Sequence, residues 1–427
     1  MELYNLRHPQ EQASFCEAVR RGIGRDQGLF FPRRLERLRE VEALLGQDFV
    51  TRSQLLLRHL IGEELPQLAE IVEEAFSFEV RLAPVTSATY ALELFHGPTL
   101  AFKDFGARFL ARVLAAVKGS GPLTILTATS GDTGAAVADA FYDQPGIAVV
   151  VLYPRGRISA VQEKMISTLG HNIHAVEIEG SFDECQDLVK QGFADEGLRA
   201  AAGLNSANSI NIARLLAQVC YYFEAVAQLP GGQREQVVFS VPCGNFGNLC
   251  AGLIARALGL PCSFMVACNA NDTIPRFLDT GRYEPHATVA CMSNAMDISR
   301  PNNWPRVEEL CRQQGWQTAE LRHGSVDDLQ TAATMQDYRG RYLLEPHAAV
   351  ACRVLDAQRR PDETGIFLAT AHPAKFKADV DRILGIDLEL PPAIRRRMAL
   401  PVQVQVLPAS YPALRAYLSE VLNLGPA

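Results

Sequence analysis

The chain has 427 residues, enough for two or three domains and a large buried core. Its 48% hydrophobic and 21% charged residues exclude a disordered chain, and no apolar run reaches the length of a membrane span. A net charge of -7 argues against nucleic acid or an anionic membrane as partner, since both call for basic patches.

Residues 1 to about 85 read as a unit of their own. Helical patterns cover roughly 10–22, 35–46, 50–61 and 66–77, punctuated by Gly22-Ile23-Gly24 and Gly28-Leu29-Phe30-Phe31-Pro32. This stretch carries no catalytic constellation and reads as a helical cap or interface element. Next comes His96-Gly97-Pro98-Thr99-Leu100-Ala101-Phe102-Lys103-Asp104-Phe105-Gly106, where a turn gives way to a helix starting near Lys103. Beyond it, apolar strands at 123–127, 147–152 and 173–178 alternate with helices, the signature of a parallel β/α architecture with both sheet faces covered. A long helix fits 210–228. Strands follow at 236–241, 263–267 and 365–370, with helices near 249–258, 305–315, 326–338 and 346–358. The tail beyond 395 reads as peripheral. Ten cysteines, none in a C-x-x-C pair, read as free thiols in a reducing compartment, with no metal site. The opening Met-Glu-Leu-Tyr-Asn-Leu-Arg has neither a signal core nor a transit segment, so the cytoplasm is the expected location.

Ligands of open parallel sheets bind where strand ends lead into helix N-termini. Lys103 sits at such a junction beside Phe102. In partly apolar surroundings a lysine loses preference for the charged form and can serve as an amine nucleophile toward an aldehyde cofactor. In Ser130-Gly131-Asp132-Thr133-Gly134, glycines, hydroxyls and the following helix suit a small anion, and Asp132 could cap that helix. Gly244-Asn245-Phe246-Gly247-Asn248 has the same logic without being a Walker loop or a dinucleotide fingerprint. In the stretch 205–214, Arg214 can fork onto a phosphate or carboxylate, or else stand exposed behind a helix capped by Asn208 or Ser209. Thr370 closes an apolar strand, where a hydroxyl can meet a heterocycle nitrogen or simply bond nearby backbone.

Taken together, His96–Gly106, Thr127–Gly134, Leu204–Arg214, Ser293–Pro305, Glu345–Ala349 and Thr370–Phe376 resemble the threonine synthase family of the pyridoxal-phosphate (PLP) fold type II enzymes. The resemblance implies an α/β fold of the tryptophan synthase β type. It would have two parallel or mixed-sheet β/α domains with helices on both faces and an N-terminal, mainly helical domain over 1–85. The catalytic region would run over 86–427, with a small movable part at about 90–205, a larger part at about 206–395 and a tail at 396–427. By position, Lys103 would bind the cofactor covalently and carry the catalysis, and Phe102 would shape the ring pocket. Gly244, Asn245, Phe246, Gly247 and Asn248 would cradle the cofactor phosphate, and Thr370 would face the pyridine nitrogen. Ser130, Gly131, Asp132 and Thr133 would grip the substrate carboxylate, and Asn208, Ser209 and Arg214 the substrate phosphate. Asn248 stands where the family often has Asp, and Cys243 where a small Ser or Gly is common. The implied substrate is O-phospho-L-homoserine, converted with water to threonine and phosphate by a monomer or small homo-oligomer. A phospholyase giving 2-oxobutyrate and a non-catalytic binding relative are the alternatives.

Overall fold

The computed structural model describes residues 1–119 and 121–424. Three sheets organise it. The first is antiparallel, in the order β2-β1-β3, and joins β1 (Glu2–Asn5), β2 (Gln12–Ser14) and β3 (Phe30–Pro32). The second contains β4 (Arg81–Pro84), β5 (Thr89–Glu93), β10 (Val237–Pro242), β11 (Cys262–Cys268), β12 (Arg322–Ser325) and β13 (Thr364–Ala369). Its order is β12-β11-β10-β13-β5-β4, parallel except for β4 against β5. The third is wholly parallel, in the order β14-β8-β7-β6-β9: β6 (Leu123–Ala128), β7 (Ile147–Pro154), β8 (Ile173–Glu179), β9 (Leu204–Asn205) and β14 (Val404–Pro408). Every residue of β6, β10 and β13 is buried, as expected for strands covered by helices on both faces.

Three sequence expectations need correction. The stretch 10–22 is not one helix: Gln12–Ser14 is a strand, and the helix is Phe15–Arg21. Ser14 and Glu17 form a reciprocal capping box that fixes its start, a start signal hidden inside a helical-looking pattern. The N-terminal unit therefore holds a small sheet as well as helices. Second, β5 pairs with β13, so the chain from 89 to 93 belongs to the six-stranded sheet and not to the smaller one. Third, the tail past 395 is not peripheral. β14 extends the smaller sheet at β8, and the helix Tyr411–Val421 buries Leu414 and Leu418 against it. Asp195 fastens that helix by accepting from Tyr411 at 2.8 Å and Arg415 at 2.9 Å.

The helix Ile212–Gln228 is buried on all sides from Ile212 to Val226. It packs against Lys103–Val117 and Gly247–Ala257, the helices that begin at the lysine and at the glycine loop. Phe105, two positions past Lys103, is enclosed by Phe49, Phe76 and Phe78 of the N-terminal unit and by Tyr221, with ring centroids 6.2, 5.6, 4.7 and 5.3 Å away. Burying such a ring contributes roughly 1.5–3 kcal/mol, and each well-oriented aromatic pair adds about 0.5–1.5 kcal/mol. The N-terminal unit thus holds the helix that presents the lysine.

Candidate active site

The loops that the sequence singled out follow the carboxyl ends of β5, β6, β9, β10 and β13. Lys103 is the first residue of its helix, which Phe102 precedes without a side-chain cap. The lysine loop is stitched to the Thr370 loop. Phe102 donates its N–H to the Thr370 carbonyl at 2.8 Å, His372 donates to the Leu100 carbonyl at 3.0 Å, and Ala101 bridges Ala371. Inside the loop, buried Asp104 accepts from the Thr99 N–H at 2.9 Å and the Thr99 hydroxyl at 2.5 Å. Gly97 is required here, because a Cβ would lie 2.4 Å from the Asp104 carboxylate. Burial pushes the Asp104 carboxyl up to about 6, against the Thr99 hydrogen bonds.

Lys103 keeps a partly exposed side chain, 5.6 Å from the Phe102 ring centroid. Removal of solvent lowers its ammonium to about 8; Lys375 and Arg214 act in the same direction, Asp132 and Glu345 against it. About a tenth of the amine is therefore uncharged at pH 7, far more than for an ordinary lysine.

In the loop after β6, Thr129 accepts at its hydroxyl from the Gly131 N–H at 2.9 Å and the Gly134 N–H at 2.8 Å. Among the described residues, the donors of this loop without a protein partner are the amides of Ser130, Asp132 and Thr133 and the hydroxyls of Ser130 and Thr133. The side chain of Asp132 does not cap its helix. It is buried, pairs with Lys375 Nζ at 2.8 Å and accepts from Gln162 Nε2 at 3.0 Å. Asp132 can serve an anion only through its backbone, because its carboxylate is already committed.

The loop after β9 is capped by Asn211, whose side chain accepts from the Ala213 N–H, and not by Asn208 or Ser209. Asn208 instead accepts from the Thr127 hydroxyl at 2.6 Å. Ser209 Oγ accepts from Asn245 at 2.6 Å and Asn303 at 3.2 Å, drawing this loop to the glycine loop after β10. Arg214 is buried and not exposed. It donates through Nη1 to the Ala207 carbonyl at 2.6 Å, while its Nε has no protein partner among the described residues. Burial lowers its guanidinium to about 10, with Asp104 opposing.

In the glycine loop, a Cβ on Gly244 would come within 2.7 Å of Met296 Cα and 3.0 Å of the Ala295 carbonyl. Phe246 takes the left-handed conformation, φ 60°, immediately before the helix Gly247–Ala257, and its ring meets Trp304 edge-on at 5.4 Å. Asn248 Oδ1 accepts from both Tyr221 and Tyr222 at 2.6 Å, and its Nδ2 has no partner among the described residues. Thr370 is buried directly after β13.

Several site residues were not legible as such. Lys375 lies within Thr370–Phe376, where the sequence offers no role for it beyond a lysine inside an apolar segment. Glu345 is the side-chain cap of the helix Pro346–Gln358 and contacts His347 Nδ1 at 2.6 Å. His347 Nε2 accepts from the Ala295 N–H at 3.2 Å, so the ring proton is on Nδ1 and is donated to Glu345. Arg306, fully buried, donates to the carbonyls of Phe30 and Ile210 and to Asn303, tying β3 to the loop after β9 and, through Asn303, to the Asn245 carbonyl of the glycine loop. No local pattern distinguishes it from an exposed helical arginine.

The two covered sheets, the lysine at a helix start and the glycine loop define a pyridoxal-phosphate-dependent enzyme, and the model of that description, "Pyridoxal-phosphate dependent enzyme", matches residues 83–368. A second model, "Threonine synthase, C-terminal", matches 348–418, which includes β14 and most of the helix that packs beside it. Threonine synthase of Haemophilus influenzae is 58% identical over 98% of this chain and 99% of its own length. The crystal structure of threonine synthase from Escherichia coli superposes with a TM-score of 0.96 at 57% identity, covering 99% of this chain and 100% of that one. The structure of PLP-bound threonine synthase from Brucella melitensis gives 0.90 at 33% identity, covering 98% and 99%. The chain belongs to the threonine synthase family of pyridoxal-phosphate-dependent enzymes. Its cofactor is pyridoxal 5′-phosphate, and the residues present fit it. Gly244 has room for no side chain, and the lysine is partly neutral.

Proposed function

We propose that the protein converts O-phospho-L-homoserine and water to L-threonine and inorganic phosphate. The observation that carries this reading is the pairing of family membership along the whole chain with two anion-receiving loops besides the glycine loop. A substrate with a carboxylate and a phosphate needs both. Lys103 would hold the cofactor, Phe102 would flank its ring and Thr370 would face its nitrogen. Gly244, Asn245, Phe246, Gly247 and Asn248 would surround its phosphate. When bound, the cofactor supplies an electron sink for the carbon next to the amino group.

The chain's own residues do the rest. The amides of Ser130, Asp132 and Thr133 orient the substrate carboxylate at a helix start, where the dipole favours an anion. Arg214 supports the substrate phosphate with Asn208 and Ser209; its unpaired Nε is the available donor. The Lys103 amine removes the proton from the α-carbon and returns protons later, a task suited to a group near 8. A neutral hydroxyl at Thr370, where a carboxylate would favour a protonated ring, tempers the sink. We place the reaction in the cytoplasm, in keeping with the free cysteines, and the working unit as a monomer or small homo-oligomer. A shift of the smaller sheet toward the larger on substrate binding belongs to the same proposal.

The test is a product assay with purified holoenzyme and O-phospho-L-homoserine. Threonine and phosphate in equal amounts support the reading. Phosphate accompanied by 2-oxobutyrate would make the protein a phospholyase, and no phosphate release from a yellow protein would place the substrate elsewhere.

A further inference from the structure

Two buried charges beside Lys103 take no part in the reaction just described. Lys375 Nζ is fully buried, pairs with Asp132 Oδ1 at 2.8 Å and donates to the Thr99 carbonyl at 2.8 Å. Asp132 starts the helix after β6 in the smaller sheet, whereas Lys375 follows β13 of the larger one. Thr99 belongs to the lysine loop. The same junction holds two more contacts. Ser159, the cap of the helix Ala160–Ser167, donates to the Lys375 carbonyl at 3.0 Å. Gln162 of that helix reaches Asp132 at 3.0 Å and lies directly under Gly131.

We infer that Asp132 and Lys375 form a positioning pair: it seats the substrate-carboxylate loop against the lysine loop across the two sheets and keeps the charge beside Lys103 balanced. The inference rests on the proposed reading only in taking Lys103 as the cofactor lysine and the loop after β6 as the carboxylate loop. The charge balance is local and can be enumerated. Lys103 is faced by Asp132 and Glu345 as anions and by Lys375 and Arg214 as cations. Lys375 in turn acts on Asp104 and His372 as well as on Asp132. With both members present their fields at Lys103 oppose each other. Removal of one leaves a single uncompensated charge close to the cofactor linkage. A purely structural ion pair would cost stability whichever member was lost. A pair that also sets the field must move the linkage in opposite directions.

The experiment uses holoenzyme carrying Lys375→Met, Asp132→Asn, both together, or Gln162→Leu, and follows the visible band of the lysine-bound cofactor against pH. Asp132→Asn should lower the midpoint and Lys375→Met raise it, each by ~1 pH unit, and the double variant should lie within ~0.5 unit of the parent. If a single variant fails to fold or to hold the cofactor, recovery of the yellow band in the double variant supports the pair and its absence overturns it. Shifts of one sign in both single variants, or a midpoint that moves in none, overturn the charge role. Gln162→Leu alters no charge. It should leave the midpoint in place and raise the KM for O-phospho-L-homoserine several-fold with kcat nearly unchanged; an unchanged KM overturns the seating role. Because the titration reads only cofactor attachment, a protein that makes no threonine but shows the opposed shifts would retain the pair and lose the proposed substrate.

Discussion

Replacing Gly244 by alanine tests the glycine loop directly. The added Cβ would lie 2.7 Å from Met296 Cα and 3.0 Å from the Ala295 carbonyl. Both neighbours are backbone, and the Ala295 N–H is anchored to His347 at 3.2 Å, so no side chain can swing aside. Reaching ordinary contact at roughly 3.5 Å means moving backbone by about 0.8 Å, and overpacking of this kind costs about 1–3 kcal/mol. If the loop holds the cofactor phosphate, much of that cost appears as lost affinity, and at ~1.4 kcal/mol per tenfold the PLP dissociation constant rises ~5- to ~140-fold. The assay is an equilibrium PLP titration followed by the visible band, alongside urea melts. Gly232→Ala is the control, since a Cβ there meets nothing within 4 Å. A Gly244→Ala protein with unchanged stability and a PLP affinity within about twofold of the parent would refute the cradle.

Four further outcomes follow from the same geometry. The rate at which cofactor-free protein captures PLP should rise with pH with a midpoint near 8 and level off about one to two units higher, as the Lys103 amine becomes neutral; a midpoint near 10.5, the ordinary lysine value, would refute the burial argument. By linkage, a lysine lowered in the folded state costs stability while it is charged, so the cofactor-free protein loses that penalty as pH rises from 8 to 10.5, and Lys103→Met should lessen it at pH 7 in thermal melts. Arg306→Met strands acceptors in Phe30, Ile210 and Asn303 and should lower stability by about 3 kcal/mol or more in urea melts. Asn248→Leu removes the side-chain acceptor shared by Tyr221 and Tyr222, which keep weaker partners in Gln218 and the Asn248 backbone, so about 1–3 kcal/mol should be lost, and a neutral result would count against the network.

The contrast between Lys103 and Lys375 shows what could be read in advance. Lys103 stands at a turn, between two phenylalanines and at the start of a helical repeat, a setting that suits a surface lysine as well; the family resemblance of the motif around it is what points to a cofactor role. Those are local features, and local features survive in one dimension. The same holds for β6, β7, β10 and β13, whose apolar, β-branched runs carry the parallel sheets, and for the glycine loop between β10 and its helix. Asp132 shows the opposite case. Its neighbours in the chain suggest an anion loop or a helix cap, yet Lys375, far away in sequence, decides the fate of its carboxylate. Arg214 likewise reads either as a fork for a phosphate or carboxylate or as an exposed arginine behind a capped helix, and only the fold shows that it is buried.

By itself the sequence determined the alternating β/α architecture, because periodicity and turn chemistry act over a few residues, and its resemblance to a known family pointed to Lys103 and to the loops after β6, β9 and β10 as the candidate site. Only the tertiary structure decided that β14 returns to the smaller sheet, that Phe49, Phe76 and Phe78 hold the lysine helix through Phe105, and that Asp132 is neutralised from the other sheet. Strand pairing, aromatic packing and buried ion pairs join residues distant in the chain, and their energies depend on separations and burial that exist only once the chain has folded.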